Sequence, residues 1–356
     1  MNRENRYCVI IAGGVGSRIW PMSRKRLPKQ FLDVLGCGSS MLRETFNRYS
    51  SMVNQENIIV VTNYRYRDLV LEQLPELKGE QVLCEPIGRN TAPAIAYAVY
   101  RLAKINENAQ IIVTPADHYV GDERSLRSAV EESLIFAEQR NALVTMGVRP
   151  THPETAYGYI QKSNEERISP VKCFSEKPDI DLARTLMQCG EFLWNTGIFI
   201  ASVKHFKASF GRHLPELDAL FSSINGSLAT PFEEEAIEAI YSESQAISIE
   251  NGLIERDEDI YVYAGEFAWS DVGTWESVHL HSNRDESNNT APQNTLLHNT
   301  DNSIISIPKG KIAVIRGLSN YIVVDSDNIL LICPRSEEAS IKSFADEVRF
   351  IRDSNK

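Results

Sequence analysis

The sequence predicts an α/β protein in which a mostly parallel, helix-covered sheet is followed by a small β-rich C-terminal domain. Three observations carry this. From residue 7 to about 150, apolar runs of strand length alternate with helical patterns, the order that gives parallel sheets covered on both faces. The first run empties at once into a glycine-rich loop, Gly13-Gly14-Val15-Gly16. A polar, turn-rich stretch at 283–294, NRDESNNTAPQN, then precedes a series of short strand-like runs and reads as a linker.

Candidate strands lie at 7–12, 58–62, 81–84, 110–114 and 142–148, with helical segments near 40–51, 65–74, 91–105 and 124–140. TAPAIAYAVYRLAKI is the clearest helix: Thr91 is placed as its N-cap, Pro93 is tolerated in the first turn, and aliphatic residues follow at helical spacing. Residues 151–285 are more mixed, with strands near 157–162, 171–175, 194–202 and 260–264. Beyond the linker, TLLHN, SIISI, KIAVIR, YIVVD and NILLIC read as strands and 337–348 as a closing helix. The sequence thus divides at 1–285 and 286–356, and the second part suits a short, left-handed β-helix-like coil whose repeat is too weak to fix a period.

Length and composition narrow the function. The chain has 356 residues, 42% hydrophobic and 24% charged, enough for a sizeable core. No run approaches a membrane span of about 18 apolar residues, and the N-terminal run is too short for a signal peptide. Six scattered cysteines without a C-x-x-C pair point to a reduced, cytoplasmic protein rather than a disulfide framework or zinc site. A net charge of −11 argues against nucleic-acid binding.

Against that acidic balance, Arg18, Arg24, Lys25, Arg26 and Lys29 crowd behind the glycine loop with no acidic residue among them. Two familiar phosphate loops are excluded. The only Gly-Lys pair, Gly310-Lys311, is followed by Ile312 and not by Ser or Thr. Gly14-Val15-Gly16-Ser17-Arg18-Ile19 places Ile where the dinucleotide fingerprint needs its third glycine. What remains is a loop whose backbone N–H groups can approach phosphates, backed by an arginine fork and a mobile lysine charge. In parallel sheets ligands bind beyond the carboxyl ends of the strands, where this loop and PADH at 115–118 both fall.

IIAGGVGSRIWPMSRKRLPKQFL at the N-terminus resembles the opening motif of the sugar-nucleotidyltransferases, and Trp20-Pro21 with Lys29-Gln30-Phe31 resembles their mannose-1-phosphate guanylyltransferase branch. EPIGRNTAPAIA (85–96), TPADHYV (114–120), TAYGYI (155–160), FSEKP (174–178), WNTGIF (194–199) and WSDVGTW (269–275) follow in the family order. The resemblance implies a Rossmann-like nucleotidyltransferase domain that joins GTP to mannose 1-phosphate and yields GDP-mannose. It implies that Ala12, Gly13, Gly14, Gly16 and Ser17 wrap the triphosphate, with Arg18 and Lys29 as the catalytic cations. Glu85, Gly88, Arg89 and Asn90 would line the nucleotide pocket; which of Glu85, Arg89 and Asn90 touches the base is left open. Tyr157, Gly158, Glu176, Lys177 and Asn195 would hold the sugar phosphate, and Asp117 and Asp271 would bind Mg²⁺. His118 beside Asp117 is read as structural.

One departure stands out: Ser248-Ile249 is followed by Glu250-Asn251-Gly252, where the family usually carries aspartate and no glycine. This bears on the sugar pocket more than on the reaction. The chain leaves no room for the isomerase domain fused to some members, so a single activity is expected, from a homodimer. Two alternatives stay open: a nucleotidyltransferase for another sugar 1-phosphate, and a non-catalytic regulatory homologue that binds nucleotide sugar.

Overall fold

A computed structural model describes residues 3–354. The first apolar run forms strand β1 (Arg6–Ile11), with Val9 and Ile10 fully buried. The runs that follow form β2 (Ile58–Asn63), β3 (Val82–Glu85), β4 (Gln110–Pro115) and β5 (Leu143–Val148). The more mixed region supplies β6 (Tyr159–Lys162), β7 (Ile168–Ser175), β8 (Phe192–Ser202) and β9 (Ile260–Gly265). Together they make one nine-stranded sheet in the order β3-β2-β1-β4-β8-β5-β9-β7-β6, with β6 also paired to β8.

The sheet is parallel through β3-β2-β1-β4 and between β5 and β9, but mixed as a whole, which corrects the mostly parallel expectation. The turn at 163–167 folds β6 and β7 into a hairpin, which is antiparallel by construction. The long strand β8 runs antiparallel to β4, β5 and β6. The helix Thr91–Ile105 buries Ala92, Ala94, Ala96 and Ala98, small residues that let it close on the sheet beside Val9, Val61 and Val113. Its N-cap is Asn90 rather than Thr91. The Asn90 side chain accepts from Thr91 N–H at 2.9 Å, and Asn90 itself takes a strained backbone, φ 67° and ψ −166°.

By their contacts the residues fall into two units. The first holds the sheet: the chain up to Gly13, Thr45–Ala116 and Val120–Trp269. The second holds Gly14–Glu44, Asp117–Tyr119 and Ser270 onward. This division is drawn differently from the sequence division at 285/286. It cuts inside three of the motifs, after Gly13, Ala116 and Trp269.

Within the second unit lie β10 (Thr295–His298), β11 (Ile304–Ser306), β12 (Ala313–Arg316), β13 (Tyr321–Ser326) and β14 (Ile329–Pro334). β10 pairs in parallel with β12 and β11 with β13, so that Thr295 faces Ala313 and Ile304 faces Ile322. The same 18-residue offset joins Ser319 to Asp301 at 2.8 Å and Asn320 to Asn302. β13 and β14 form a hairpin around Asp327-Asn328, both at positive φ, 50° and 64°, as a two-residue turn of the type I′ class requires. A short 3-10 helix at Arg335–Ser340 and the helix Ile341–Ser354 close the unit. Its core joins Ile19, Trp20 and Val34 to Val272, Trp275, Ile304, Ile322 and Ile341. Ile19, which stands where the dinucleotide fingerprint needs its third glycine, is fully buried there.

Candidate active site

All four residues expected to carry the chemistry lie in the second unit, and the structure brings them together. The glycine loop turns at Gly16, whose φ is 69° and where a Cβ would come within 2.7 Å of the Lys29 Cβ. That close approach requires glycine. Ser17 opens a single helical turn, Ser17–Ile19, with Gly14, Ser17 and Arg18 exposed. Lys29 is only 3% exposed. Its ammonium lies 2.8 Å from Asp117 Oδ2 and donates to the Asp271 carbonyl. Arg18 reaches Asp271 Oδ2 at 3.0 Å. Burial pushes the Asp117 carboxyl up, but Lys29 and His118 outweigh it and the net shift is downward; Asp271 opposes them weakly. A neighbouring cation favours the ionised form of a carboxylate even against burial.

The loop after Asp271 was not legible as a site. Val272 takes φ of 44°, an outlier for a β-branched residue that costs about 1–3 kcal/mol. Its side chain is fully buried, and its N–H is held by Ser270 Oγ at 3.1 Å. A Cβ on Gly273 would meet Asp271 Oδ2 at 2.5 Å and Arg18 Nη2 at 2.6 Å, while Gly273 N–H donates to Asp271 Oδ1 at 2.9 Å. In WSDVGTW only Gly273 carries a sequence signal for a backbone that folds back on its aspartate.

The residues assigned to nucleotide and sugar recognition lie in the first unit, Gly14, Gly16 and Ser17 excepted. Glu85 ends β3, and its Oε2 is 3.2 Å from where a Cβ on Gly13 would sit. Burial pushes the Glu85 carboxyl up to about 8, with the Tyr241 hydroxyl pulling weakly the other way. Its Oε1 is buried and accepts no hydrogen bond among the described residues. Arg89 is committed elsewhere, donating to the carbonyls of Tyr241 at 3.1 Å and Ser242 at 3.3 Å. Ala12 donates from its N–H to the Val61 carbonyl at 2.8 Å and accepts from Thr62 Oγ1 at 2.9 Å. Gly88 is exposed, with open space where a Cβ would stand, and Asn90 caps the helix as described.

The sugar-side blocks also converge. Asn195 N–H donates to the Gly158 carbonyl at 2.8 Å, and Asn195 Oδ1 accepts from Thr145 Oγ1 at 3.0 Å and Gly197 N–H at 3.2 Å. A Cβ on Gly158 would strike Phe174 at 2.7 Å and Glu176 Oε2 at 2.8 Å. Tyr157 packs edge-on against Trp194 and Trp269, centroids 5.1 and 4.9 Å away. Lys177, at φ of 44°, pairs with Glu176. The departure at Glu250 belongs here. Thr91 Oγ1 accepts from Ile249 N–H at 2.8 Å and donates to Glu250 Oε2 at 3.4 Å. Burial raises the Glu250 carboxyl, Glu176 adds to this, and Lys177 opposes it. Sequence reading missed the Thr91 contact because its partner lies 159 residues away.

Among the described residues, no group of three or more His, Cys, Asp and Glu side chains is placed to hold a metal, and no helix is long and apolar enough to cross a membrane. Residues 7–288 match the family described as nucleotidyl transferase. The chain is 32% identical over 351 residues to a mannose-1-phosphate guanylyltransferase of Escherichia coli, covering 96% of this chain and 75% of that protein. It is 33% identical over 351 residues to the xanthan biosynthesis protein XanB of Xanthomonas campestris pv. campestris (strain B100), covering 96% and 73%. A crystal structure described as a mannose-1-phosphate geranyltransferase from Thermus thermophilus superimposes with a TM-score of 0.88 at 29% identity, over 97% of this chain and 99% of that one. The chain belongs to the nucleotidyl transferase family, and within it to the mannose-1-phosphate guanylyltransferases.

Proposed function

We propose that the chain transfers the guanylyl group of GTP to α-D-mannose 1-phosphate, forming GDP-mannose and pyrophosphate. The observation that carries this is the cluster in the second unit, where Lys29 and Arg18 sit on Asp117 and Asp271 beside a glycine loop. Relatives named for this activity support the substrate pair. A phosphate oxygen of the sugar phosphate attacks the α-phosphorus in line. The new P–O bond forms as the bond from the α-phosphorus to the bridging oxygen breaks, and the electron pair leaves with pyrophosphate. With a second pKa of about 6 the attacking phosphate is already largely dianionic, so no side chain has to take a proton.

What the reaction needs from the protein is the approach of one anion to another. Arg18, half-exposed, offers a planar fork to phosphate oxygens. Lys29 can exchange Asp117 for a phosphate oxygen and keep an anionic partner throughout. Asp117 and Asp271 fit a hard cation that takes one or two carboxylates and completes its shell with phosphate and water. Asp117 and Asp271 would hold Mg²⁺, which would supply charge neutralisation and Lewis-acid polarisation. Glu85 Oε1 is suited to accept from guanine N1–H and the 2-amino group, and Glu176 and Asn195 to bind sugar hydroxyls, with Lys177 on the sugar phosphate.

The 18-residue offset of the parallel pairs, three hexapeptides per turn, supports reading the C-terminal strands as a short left-handed β-helix. Exposed Leu296, Val314, Leu330 and Ile332 on those strands support a homodimer, checked by light scattering. Six free cysteines support a cytoplasmic setting.

The test is pyrophosphate release in Mg²⁺, with GTP, ATP, UTP, CTP and dTTP each paired with mannose 1-phosphate and glucose 1-phosphate. Turnover confined to GTP with mannose 1-phosphate is expected. A better pair would move the substrate assignment, and silence from protein that binds GDP-mannose would favour a regulatory homologue.

A further inference from the structure

The C-terminal strands take no part in the chemistry above, and Arg24 and Arg26 are unused by it. They meet at one point. Asp327, at the tip of the β13–β14 hairpin, takes both Arg24 and Arg26 on its Oδ2, and Arg24 also donates to Ser326 Oγ at 3.3 Å. These arginines lie between Arg18 and Lys29 in the chain. A second tie holds the Asp271 loop. Glu338, in the short 3-10 helix after β14, accepts from the backbone N–H of Trp275 and, at 3.2 Å, from that of Glu276. These residues open the helix Trp275–His281 that follows Gly273, and Arg335 pairs with Glu276. Trp275 Nε1 in turn donates to the Trp20 carbonyl at 3.2 Å, so the two loops and the C-terminal strands share one core.

We propose that the C-terminal β-domain is the scaffold of the phosphate machinery, with Asp327 and Glu338 as positioning residues for the Arg18–Lys29 segment and the Asp271 loop. The physical need is plain. The segment from Gly14 to Lys29 contains no strand and only one helical turn before Lys29, yet its cations have to meet phosphate oxygens within a fraction of an ångström. A misplacement of about 1 Å can cost about a hundredfold in rate. Ion pairs open to solvent contribute little to global stability, and with Arg26 exposed and Asp327 partly so these ties order a loop rather than hold the fold.

The inference rests on the guanylyltransferase reading for one readout and not for the other. In the full-length protein, Asp327→Asn removes the charge while keeping a residue at home in left-handed turns. Amide exchange in peptides covering 14–31 is expected to quicken about tenfold or more, with that of 91–105 unchanged. At saturating substrates kcat falls about tenfold with no loss of Tm. Glu338→Ala does the same to peptides covering 270–281, and Glu338→Gln, which keeps an acceptor for the helix N–H groups, stays near wild type. Unchanged exchange and kcat in both Asp327→Asn and Glu338→Ala would overturn the scaffold, as would uniformly faster exchange with a lowered Tm. A wild-type chain silent with GTP and mannose 1-phosphate would overturn the functional reading instead, and exchange alone would then decide the scaffold.

Discussion

Carboxylates are treated in opposite ways in the two units. In the first, Glu85 is buried and Glu250 half-buried, with no ion pair to either among the described residues, and burial raises both, Glu85 to about 8. In the second, Asp117 is half-buried too, but Lys29 holds it ionised and shifts it down. Desolvation favours the neutral form, and an adjacent cation reverses that. On the proposed function the difference would separate two tasks: groups that recognise neutral donors on a base or sugar would stand in apolar surroundings, and groups that handle phosphate and metal would have their charge balanced before any substrate arrives.

The largest expected effect comes from removing one member of the balanced set. Asp271→Ala should lower kcat by about 10²–10³-fold, the scale of a lost electrostatic group in an active site, while steady-state kinetics show a much smaller change in the KM for GTP. Next come two glycine lesions, one in each unit. Gly273→Ala drives a methyl into Asp271 and Arg18 and should act chiefly on kcat; Gly158→Ala drives one into Phe174 and Glu176 and should act chiefly on the KM for mannose 1-phosphate. Both acting on the same constant would erase the contrast.

A third prediction concerns stability. Because the folded Glu85 carboxyl titrates near 8 and the unfolded one near 4.5, the folded state retains a proton the unfolded state has lost anywhere between. Stability therefore falls as pH rises through that window, by up to about 1.4 kcal/mol per pH unit, and levels off above it. Glu85→Gln should be more stable than wild type at pH 8, with the gain vanishing near pH 4.5, as denaturant midpoints at several pH values would read out. The smallest effect is Glu250→Asp. It gives up the 3.4 Å contact with Thr91 and should shift the KM for mannose 1-phosphate by no more than about fivefold, a hydrogen bond's net worth being about 1 kcal/mol.

Much of this was legible in the chain. The strand–helix alternation placed the runs that became β1 to β5, and the polar stretch at 283–294 announced the short strands. The motifs named the residues of both units because each motif is local. What escaped is what depends on distant partners. The antiparallel β8 could not be told from a parallel strand, since an apolar run carries no mark of direction. Thr91 read as an N-cap because Ser and Thr favour that position, yet Asn90 takes the cap and leaves Thr91 to Ile249 and Glu250. The pairing of Arg24 and Arg26 with Asp327 left no mark in the local sequence, because Asp327 lies about three hundred residues on. Val272 looked like an ordinary apolar residue, since nothing in its type signals left-handed backbone.

The most direct measurement follows Asp271→Asn in two assays on one preparation: calorimetric binding of GDP-mannose without Mg²⁺, and single-turnover formation of GDP-mannose with it. Binding within about threefold of wild type beside a rate lowered at least about a hundredfold is the result expected if recognition and phosphate chemistry are held by separate units. Binding and rate lost together, in protein that remains folded, would contradict it.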